Sequence, residues 1–294
     1  MRLTAALLLV LTVAAGSRLE GFSSLGILPG VREAAMGGAG VASASGPQAI
    51  ALNPAAGAEV RSYGVTAGYT KWLLDTHHQA VFAERNLRAL TVGVGAVNFS
   101  AGSFEYRTTP TDDPVGTFSP NDFSFYLNVG REFSRFVSAG LTARYFYSKI
   151  FDQDANGIGI DLGVRVRPLS GLVLGASVID FGRTMSYGRE VFWLPTKARF
   201  GASYDYRPNG DLRVTAALDG SQPVYWSSRD VRAGVEFAWR ELAMVRAGYD
   251  FLAKSSNVSV GVGVRVGPVR VDYALAPFNS GLGMAHRFGI GIGN

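Results

Sequence analysis

Residues 257–266 read NVSVGVGVRV, and this short stretch indicates the fold of the whole chain. Five valines occupy every second position, and Asn257, Ser259, two glycines and Arg265 occupy the positions between them. Successive side chains of a β-strand point to opposite faces of the sheet, so this stretch would have one apolar face and one small or polar face. We therefore expect a half-buried β-strand here.

The same alternation recurs along the chain from about Arg61 onward, most clearly in residues 158–166, 197–206 and 230–240. In each of these stretches aliphatic or aromatic residues share one face, and Gly, Ser or charged residues share the other. We predict fourteen strands, with approximate bounds 61–72, 78–86, 88–98, 122–133, 136–149, 157–167, 171–180, 197–207, 211–220, 229–239, 242–251, 257–266, 268–276 and 284–293.

The predicted connections alternate between short turns and longer loops. Short turns lie near residues 86–87, 134–135, 168–170, 208–210, 240–241 and 267. Longer connections are expected at 73–77, 99–121, 150–156, 181–196, 221–228, 252–256 and 277–283. Bacterial outer-membrane barrels have an even number of strands, short periplasmic turns and longer external loops. The sequence therefore predicts an all-β protein, a closed antiparallel transmembrane β-barrel of the bacterial outer membrane with both termini in the periplasm.

Alternation alone leaves open which face points inward. A soluble exported β protein, such as a propeller or a double sandwich, would bury the apolar face, whereas a membrane barrel turns that face to lipid. About eight strands already use up the packing capacity of a barrel interior, so fourteen strands require a wet or plugged lumen. Aromatic residues near the predicted strand ends also suit interfacial girdles, at Trp72, Tyr147, Tyr206, Trp239 and Tyr249.

The first sixteen residues have the pattern of a secretory signal peptide. Arg2 supplies a positive charge, an apolar stretch runs from Leu3 to Ala15, and small residues at 14–16 suit a cleavage site. The apolar stretch is shorter than the roughly 20 residues that a spanning helix needs. We expect three parts: a signal peptide at 1–16, an N-terminal hatch or plug segment at 17–60 and a transmembrane β-barrel at 61–294.

Composition argues against several classes of function. The chain of 294 residues has a net charge of +5, but its Lys and Arg residues are scattered, so we expect no nucleic-acid binding. It contains no Cys, which excludes disulfides and thiolate metal sites. The 37 Gly residues suit an all-β protein with many turns and with small residues on one face of the sheet.

Sequence patterns of common catalytic sites are absent: no HExxH, GxSxG or P-loop motif occurs. The histidines are His77, His78 and His286, and the pair beside Asp75 is the one candidate for a catalytic or metal site. Adjacent residues of a strand point to opposite faces, which disfavours a site at this pair. We therefore expect no enzyme activity, no cofactor and no metal.

Several segments together carry a resemblance to a known family. Residues 30–55 read GVREAAMGGAGVASASGPQAIALNPA, with a hatch motif at Arg32, Met36, Gly37, Gly38, Asn53, Pro54 and Ala55. Further segments are LGASVIDFG (174–182), LPTKARFGASY (194–204), VRAGYDF (245–251) and VDYALAPF (271–278), followed by residues 281–283 and 286–287. In this order they resemble the PorV/PorQ family of the FadL-like group of outer-membrane barrels. One departure is the end of the chain, Gly293-Asn294, because many such barrels end in an aromatic residue.

The resemblance implies fourteen strands and an N-terminal segment inside or across the periplasmic mouth. It also implies a function, a component associated with type IX secretion that binds or escorts secreted proteins. The alternative is a FadL-like transporter of small hydrophobic molecules across the outer membrane, and a purely structural or adhesive barrel is a third possibility. The expected partners are outer-membrane lipid and either secreted proteins and secretion components or hydrophobic small molecules.

Three groups of residues are candidates for a functional site. The hatch motif could form a structural plug, or it could gate the lumen or contact a ligand. Charges on the polar face could line a path or form an ion-pair network that pins the plug, at Arg144, Asp161, Arg165, Arg199, Asp205, Arg232, Glu236, Arg246, Asp250, Arg265, Arg270 and Asp272. In the connection 181–196, a partner or a lipidic ligand could contact Phe181, Tyr187, Phe192 and Trp193.

Overall fold

The computed structural model describes residues 23–110, 113–182, 185–187, 190–225 and 228–293, so the expected signal peptide lies outside the described residues. In chain order the strands are β1 (Tyr63–Lys71), β2 (His77–Asn86), β3 (Thr91–Ser100), β4 (Phe104–Tyr106), β5 (Gly116–Phe118), β6 (Asn121–Ser134), β7 (Val137–Ile150), β8 (Gln153–Leu169), β9 (Leu172–Gly182), β10 (Met185–Tyr187), β11 (Glu190–Phe192), β12 (Lys197–Tyr206), β13 (Leu212–Pro223), β14 (Asp230–Trp239), β15 (Ala243–Asp250), β16 (Val258–Val266), β17 (Val269–Pro277) and β18 (Met284–Gly293).

Fourteen of these strands form a closed antiparallel barrel, in which each strand pairs with the next barrel strand along the chain. The ring closes between β1 and β18, with Gly64 opposite Gly293 at one end and Lys71 opposite His286 at the other. The remaining strands form two short hairpins, β4 with β5 and β10 with β11, within the connections. The predicted fold class and strand number are confirmed.

The exposure of side chains in β16 shows which face of the barrel points outward. Val258, Val260, Val262 and Val264 are between 44% and 50% exposed, whereas the intervening Ser259 is only 5% exposed. The apolar side chains of this strand therefore lie on the outer surface, and the small and polar ones lie inside. A band of exposed aliphatic and aromatic side chains around a closed ring suits a lipid environment, where every backbone polar group must be paired internally.

Connections at the two ends of the barrel differ in length, as expected, with one exception. A longer connection is expected at residues 150–156, but β7 and β8 continue into a tight hairpin in which Ile150 pairs with Gln153. The expectation is wrong because the polar residues of this stretch belong to strands and not to a loop. In a hairpin that continues beyond the bilayer both faces meet water, so polar residues are tolerated there. Phe151 adopts a positive φ of 57° in the turn.

A β-bulge interrupts the pairing of β8 with β9. The register shifts between Ile160 and Leu162, and Asp180 on the facing strand adopts a positive φ of 57°. Its backbone N–H donates to the carboxylate of Asp161 at 2.7 Å. As a result, the consecutive residues Ile179 and Asp180 are both buried, although strict alternation would place one of them outside.

Residues before β1 form only short helical elements: α1 (Val31–Ala35) and 3-10 helices at Ser23–Gly26, Pro47–Ala51 and Pro54–Glu59. Pro47 and Pro54 are the first residues of the last two of these 3-10 helices. A backbone N–H at that position has no hydrogen-bond partner within the helix, so proline is tolerated there. A fourth 3-10 helix, Asn279–Gly281, lies between β17 and β18. In the part of the chain that the structure describes, no helix is long and apolar enough to cross a membrane.

Candidate functional site: the lumen and its N-terminal segment

Residues 24–60, here called the N-terminal segment, lie within the ring of strands. All five residues of α1 are buried, and Ala35 packs with Ala274 of β17. Farther along, Ile50 packs with Phe82 of β2 and Tyr126 of β6. The segment therefore contacts well-separated parts of the inner wall.

Glycines on the inner face let the segment approach the wall closely. A Cβ atom on Gly248 would overlap the backbone of Gly37, and one on Gly175 would lie 2.7 Å from the carbonyl oxygen of Val41. Other wall glycines where a Cβ would collide with the segment are Gly130, Gly140, Gly163, Gly234 and Gly261. Much of the high glycine content is thus explained by the backbone that passes against the inner wall.

The Asn53-Pro54-Ala55 part of the hatch motif joins the segment to β6 and β8. Asn53 is fully buried, and its Oδ1 accepts the backbone N–H of Ala55 at 3.0 Å, which caps the 3-10 helix that follows. Its Nδ2 donates to the carbonyl oxygen of Val164 at 3.2 Å. The carbonyl oxygen of Pro54 accepts a hydrogen bond from Nδ2 of Asn128, also at 3.2 Å.

The Met36-Gly37-Gly38 part of the motif forms a tight turn against β14 to β16. Gly37 and Gly38 have φ values of 70° and 88°, in the left-handed region that favours glycine. The N–H of Gly37 donates to Oγ of Ser259 at 2.9 Å, and this hydroxyl donates to the carbonyl oxygen of Ala35 at 3.1 Å. Met36 is fully buried. Both glycines are needed because the chain reverses here directly against the wall.

Arg32 of α1 joins an ion-pair network on the inner faces of β13 to β17. Its Nε and Nη2 donate to the two carboxylate oxygens of Glu236 at 2.9 and 3.1 Å. Glu236 also accepts from Arg213 at 3.1 Å and from Arg246 at 2.6 Å, and Arg246 reaches Asp272 at 2.7 Å. Burial alone would lower the pKa of Arg32, but the Glu236 carboxylate raises it, so Arg32 is charged within the lumen.

A second buried ion-pair cluster surrounds Arg144 on β7. Its guanidinium pairs with Asp180 and lies 3.5 Å from the carboxylate of Asp161. It also donates to the Tyr126 hydroxyl at 2.6 Å and sits 4.3 Å from the centre of that ring. Asp161 faces inward by ordinary alternation, and the bulge in β9 brings Asp180 to the same side of the wall.

Two further charged groups hold the backbone of the N-terminal segment. Arg165 donates to the carbonyl oxygen of Val41 at 3.0 Å and pairs with Glu59 at 3.1 Å. The carboxylate of Asp219 accepts the backbone N–H groups of Gly40 and Val41 at 2.6 and 2.8 Å. Residues 40–41 are therefore fixed from two sides of the barrel.

The predicted lumen-facing charges thus fall into three groups. Those in ion pairs are Arg144, Asp161, Arg165, Arg232, Glu236, Arg246, Asp250, Arg270 and Asp272. Asp205 and Arg265 are exposed beside the clefts described below, and Asp205 accepts from the Thr215 hydroxyl and lies 4.0 Å from the guanidinium of Arg213. Arg199 is buried but forms no hydrogen bond or ion pair with any residue that the structure describes.

Sequence reasoning did not single out four charged residues that hold this network: Glu59, Asp180, Arg213 and Asp219. Arg213 and Asp219 share one face of β13 with Thr215 and Ala217, so the alternation of that strand could have identified them. Asp180 could not be found by alternation, because the bulge reverses its orientation.

The end of the lumen that carries the longer connections contains a narrow cavity, here called the outer cavity, of about 30 Å³. Leu25 and Leu28 of the N-terminal segment line one side of it, and Val97, Phe99 and Ile179 line the wall. Polar groups of His78, Asp122, Tyr126, Arg144, Asp180 and Arg199 also reach it. A space of this size holds about two water molecules, so the outer cavity admits no larger molecule in this conformation.

At the opposite end, two wider clefts of about 500 and 330 Å³ open beneath the segment. Glu59, Glu241, Arg265 and Arg270 line both. Hydrogen bonding from Arg213 lowers the pKa of Glu241, which lies in the turn between β14 and β15. This end is therefore much wider than the outer cavity, and charged side chains line it.

The connection 181–196 contains the predicted aromatic partner loop. Phe181 is 59% exposed at the end of β9, and Phe192 ends the short strand β11. The Trp193 ring lies 5.2 Å from the Tyr225 ring. Tyr187 belongs to β10, but its side chain lies outside the described residues.

A different aromatic cluster was not predicted. Phe104, Tyr106 and Phe118 of the β4–β5 hairpin pack with Phe151 of the β7–β8 turn, with ring centres 4.7 to 5.8 Å apart. The sequence predicts a long loop around Phe151, and from a long loop the position of this ring beside the β4–β5 hairpin does not follow.

The histidine pair divides between the two faces, as strand geometry requires. His77 bonds the Tyr69 hydroxyl at 2.7 Å on the outside, while His78 is 2% exposed and points inward. Among the described residues, no group of three or more His, Cys, Asp or Glu side chains could hold a metal ion.

No protein-family model matches the sequence, and no curated protein matches it significantly. The structure is similar to three solved outer-membrane channels or their relatives. The monoaromatic hydrocarbon channel CymD is 12% identical with a TM-score of 0.64, over 90% of this chain and 97% of that one. The Pseudomonas putida toluene transporter TodX is 13% identical with a TM-score of 0.61, over 93% and 97%. A Pseudomonas aeruginosa FadL homologue is 10% identical with a TM-score of 0.54, over 94% and 98%.

These similarities cover nearly the whole of each chain, and at such low identity they concern the fold. The chain has the fold of FadL-like outer-membrane barrels. Together with the apolar outer surface, this fold agrees with the predicted location in the bacterial outer membrane. The names of these structures describe channels, transporters or FadL relatives, which fits the expectation of a protein without enzyme activity.

Proposed function

We propose that this protein is an outer-membrane channel for small hydrophobic molecules, and that residues 24–60 act as a plug in its lumen. One observation carries the proposal: the outer cavity combines apolar side chains from the plug, Leu25 and Leu28, with apolar side chains of the wall, Val97, Phe99 and Ile179. Ligand pockets combine apolar side chains with well-placed polar groups, and about half of the residues that line the outer cavity are apolar.

The channel fold supports the same function. The similar structures include a monoaromatic hydrocarbon channel and a toluene transporter, so a single-ring hydrocarbon is the first molecule to test. A path through the lumen requires the plug to move, because the outer cavity admits only water-sized molecules. Leu25 and Leu28 precede α1, so a shift of these two residues would break the hydrogen bond from Arg287 to the carbonyl oxygen of Leu28 but not the pair of Arg32 with Glu236.

The experiment is uptake of radiolabelled toluene by bacteria that lack their own hydrocarbon channel and express this barrel. Cells with the barrel should take up toluene faster than cells with an empty vector. A Val97→Asp, Ile179→Asp double variant, which places carboxylates in the outer cavity, should abolish the gain if it reaches the membrane folded. An equal rate in cells with and without the barrel would contradict the proposal.

Secretion is the second candidate function, and it rests on the PorV/PorQ resemblance of the hatch motif and the later segments. The two functions differ in what accompanies the barrel from the membrane. Native mass spectrometry of barrel purified in mild detergent should show a small hydrophobic molecule bound to it under the transport proposal. A co-purifying exported protein, with no small molecule, would instead favour a secretion role and direct attention to connection 181–196.

A further inference from the structure

The charged side chain of Arg199 on β12 forms no ion pair with any carboxylate of the described residues. It is 4% exposed and lines the outer cavity. Its Nη2 is buried without a hydrogen-bond partner, and no carboxylate of the described residues lies within ion-pair distance of its guanidinium. Burying an unpaired charge is costly, so such a group in a folded protein calls for a specific explanation.

The acids that face Arg199 are already engaged with other groups. Asp180 pairs with Arg144, and Oδ2 of Asp219 accepts two backbone N–H groups of the N-terminal segment. The other oxygen of Asp219, Oδ1, is buried without a hydrogen-bond partner among the described residues, but it lies beyond ion-pair distance of Arg199. Asp230 pairs with Arg232 at 3.1 Å and accepts the Ser221 hydroxyl at 2.7 Å. The guanidinium therefore retains a free donor beside a small cavity that apolar and polar side chains line in about equal number.

We infer that the outer cavity binds a small apolar molecule that carries one carboxylate, such as an aromatic acid, and that Arg199 donates hydrogen bonds to this carboxylate. The inference rests on the proposed transport function and narrows its substrate class. A planar carboxylate can accept two parallel hydrogen bonds from a guanidinium, and such charge-assisted bonds are strong in a site that excludes water. The apolar ring would then occupy the space beside Phe99, Val97 and Ile179.

Binding requires the first residues of the N-terminal segment to move, because a ring is larger than the cavity. The hydrogen bonds that hold this stretch to the wall run from Ser24 to Asp122 at 2.6 Å and from Arg287 to the carbonyl oxygen of Leu28 at 2.8 Å. Leu25 also packs against Phe146, Ala155 and Leu194, and Leu28 packs against Ala44, Ala49, Leu52 and Ala56 of the segment itself. The acid would therefore replace Leu25 and Leu28 in the cavity while the deeper part of the segment remains in place.

The test uses the full mature barrel in detergent, with benzoate as the probe and calorimetry at neutral pH as the measurement. Toluene and benzamide serve as uncharged molecules of similar shape. Arg199→Gln should weaken benzoate binding about ten- to a hundredfold, the range expected for a hydrogen bond to a charged group. Arg199→Lys, which keeps the charge, should restore part of the affinity, and toluene binding should be unchanged in both variants.

Arg265→Gln is the matched control, because Arg265 also lies on the inner face but lines the clefts at the other end. It should leave benzoate binding unchanged, and folding of every variant is checked by heat-dependent migration on gels. Equal binding of benzoate and benzamide, or an Arg199→Gln variant that binds benzoate normally, overturns the inference. If toluene binds and benzoate does not, the inference fails while the proposed function stands; if neither binds, both fail.

Discussion

Glu236 is the residue on which the position of the N-terminal segment depends most. Its single carboxylate accepts hydrogen bonds from Arg32, Arg213 and Arg246, and it is 1% exposed. A buried pair contributes little net stability when it is compared with an apolar pair of equal volume. Removing one partner is different, because the remaining charges stay buried without compensation.

Glu236→Ala should therefore destabilise the folded protein by about 3–5 kcal/mol. Three guanidiniums would face one another without their shared carboxylate, so α1 should leave the wall. The measurement is urea unfolding in lipid vesicles, combined with trypsin cleavage after Arg32, which is protected by burial in the native state. Asp211→Ala is the control, since it breaks only the exposed pair with Arg240 and should cost less than about 1 kcal/mol. Unchanged stability and protection would show that the network does not hold the segment.

At this scale, sequence pattern predicts which side chains face inward but not how they pair. Alternation placed Glu236 and Arg246 on the polar face of adjacent strands, where they pair directly. The pairing of Arg32 with Glu236 joins residues 204 positions apart, and nothing in the local sequence specifies it. Asp180 shows the limit most clearly, because a bulge that alternation does not reveal decides its orientation.

At the scale of elements, the strand bounds could be predicted from alternation with a period of two residues. Each barrel strand has one face toward lipid and one toward a polar lumen, so apolar and polar residues must alternate along it. The prediction failed at residues 150–156 because β7 and β8 stay paired as far as Ile150 and Gln153, where residues of both faces are exposed and alternation is no longer required. The N-terminal segment lacks periodicity, since its backbone is supported by wall contacts and not by regular hydrogen bonding. Its path across the lumen could therefore not be derived from the sequence alone.

The inner-face glycines provide a prediction about the segment as a whole. Gly248→Ala should displace the Met36-Gly37 turn, because the added Cβ would overlap backbone atoms that cannot rotate away. Overpacking of this kind typically costs about 1–3 kcal/mol, so the barrel should still fold. Trypsin should then cleave after Arg32 in Gly248→Ala, while heat-dependent gel migration remains normal. Gly210→Ala, at a turn where a Cβ meets nothing within 4 Å, should leave the segment protected. Protection in both variants would mean that the wall tolerates a side chain at position 248.

At the scale of the whole molecule, the absence of native cysteine allows orientation to be read directly. Gly116 and Gly210 lie at opposite ends of the barrel, and a Cβ atom added at either position would meet nothing within 4 Å. If the longer connections are extracellular, a membrane-impermeant maleimide should label Gly116→Cys on intact cells. Gly210→Cys should be labelled only after the outer membrane is permeabilised. The reverse pattern would place the N-terminal segment and its wide clefts at the cell surface.

The outer surface provides the strictest test of the membrane assignment, because it separates a lipid-facing barrel from a water-soluble one. Val262 lies at the middle of β16 and is 50% exposed, whereas Val266 lies at the end of the same strand and is 68% exposed. In lipid, Val262→Arg should cost about 2–4 kcal/mol and Val266→Arg only about 0–1 kcal/mol, because the penalty depends on depth in the bilayer. In water, an arginine at either exposed site would cost little. Urea titrations of folding into phospholipid vesicles measure the difference between the two variants, and equal stabilities would contradict a lipid-facing position for the centre of β16.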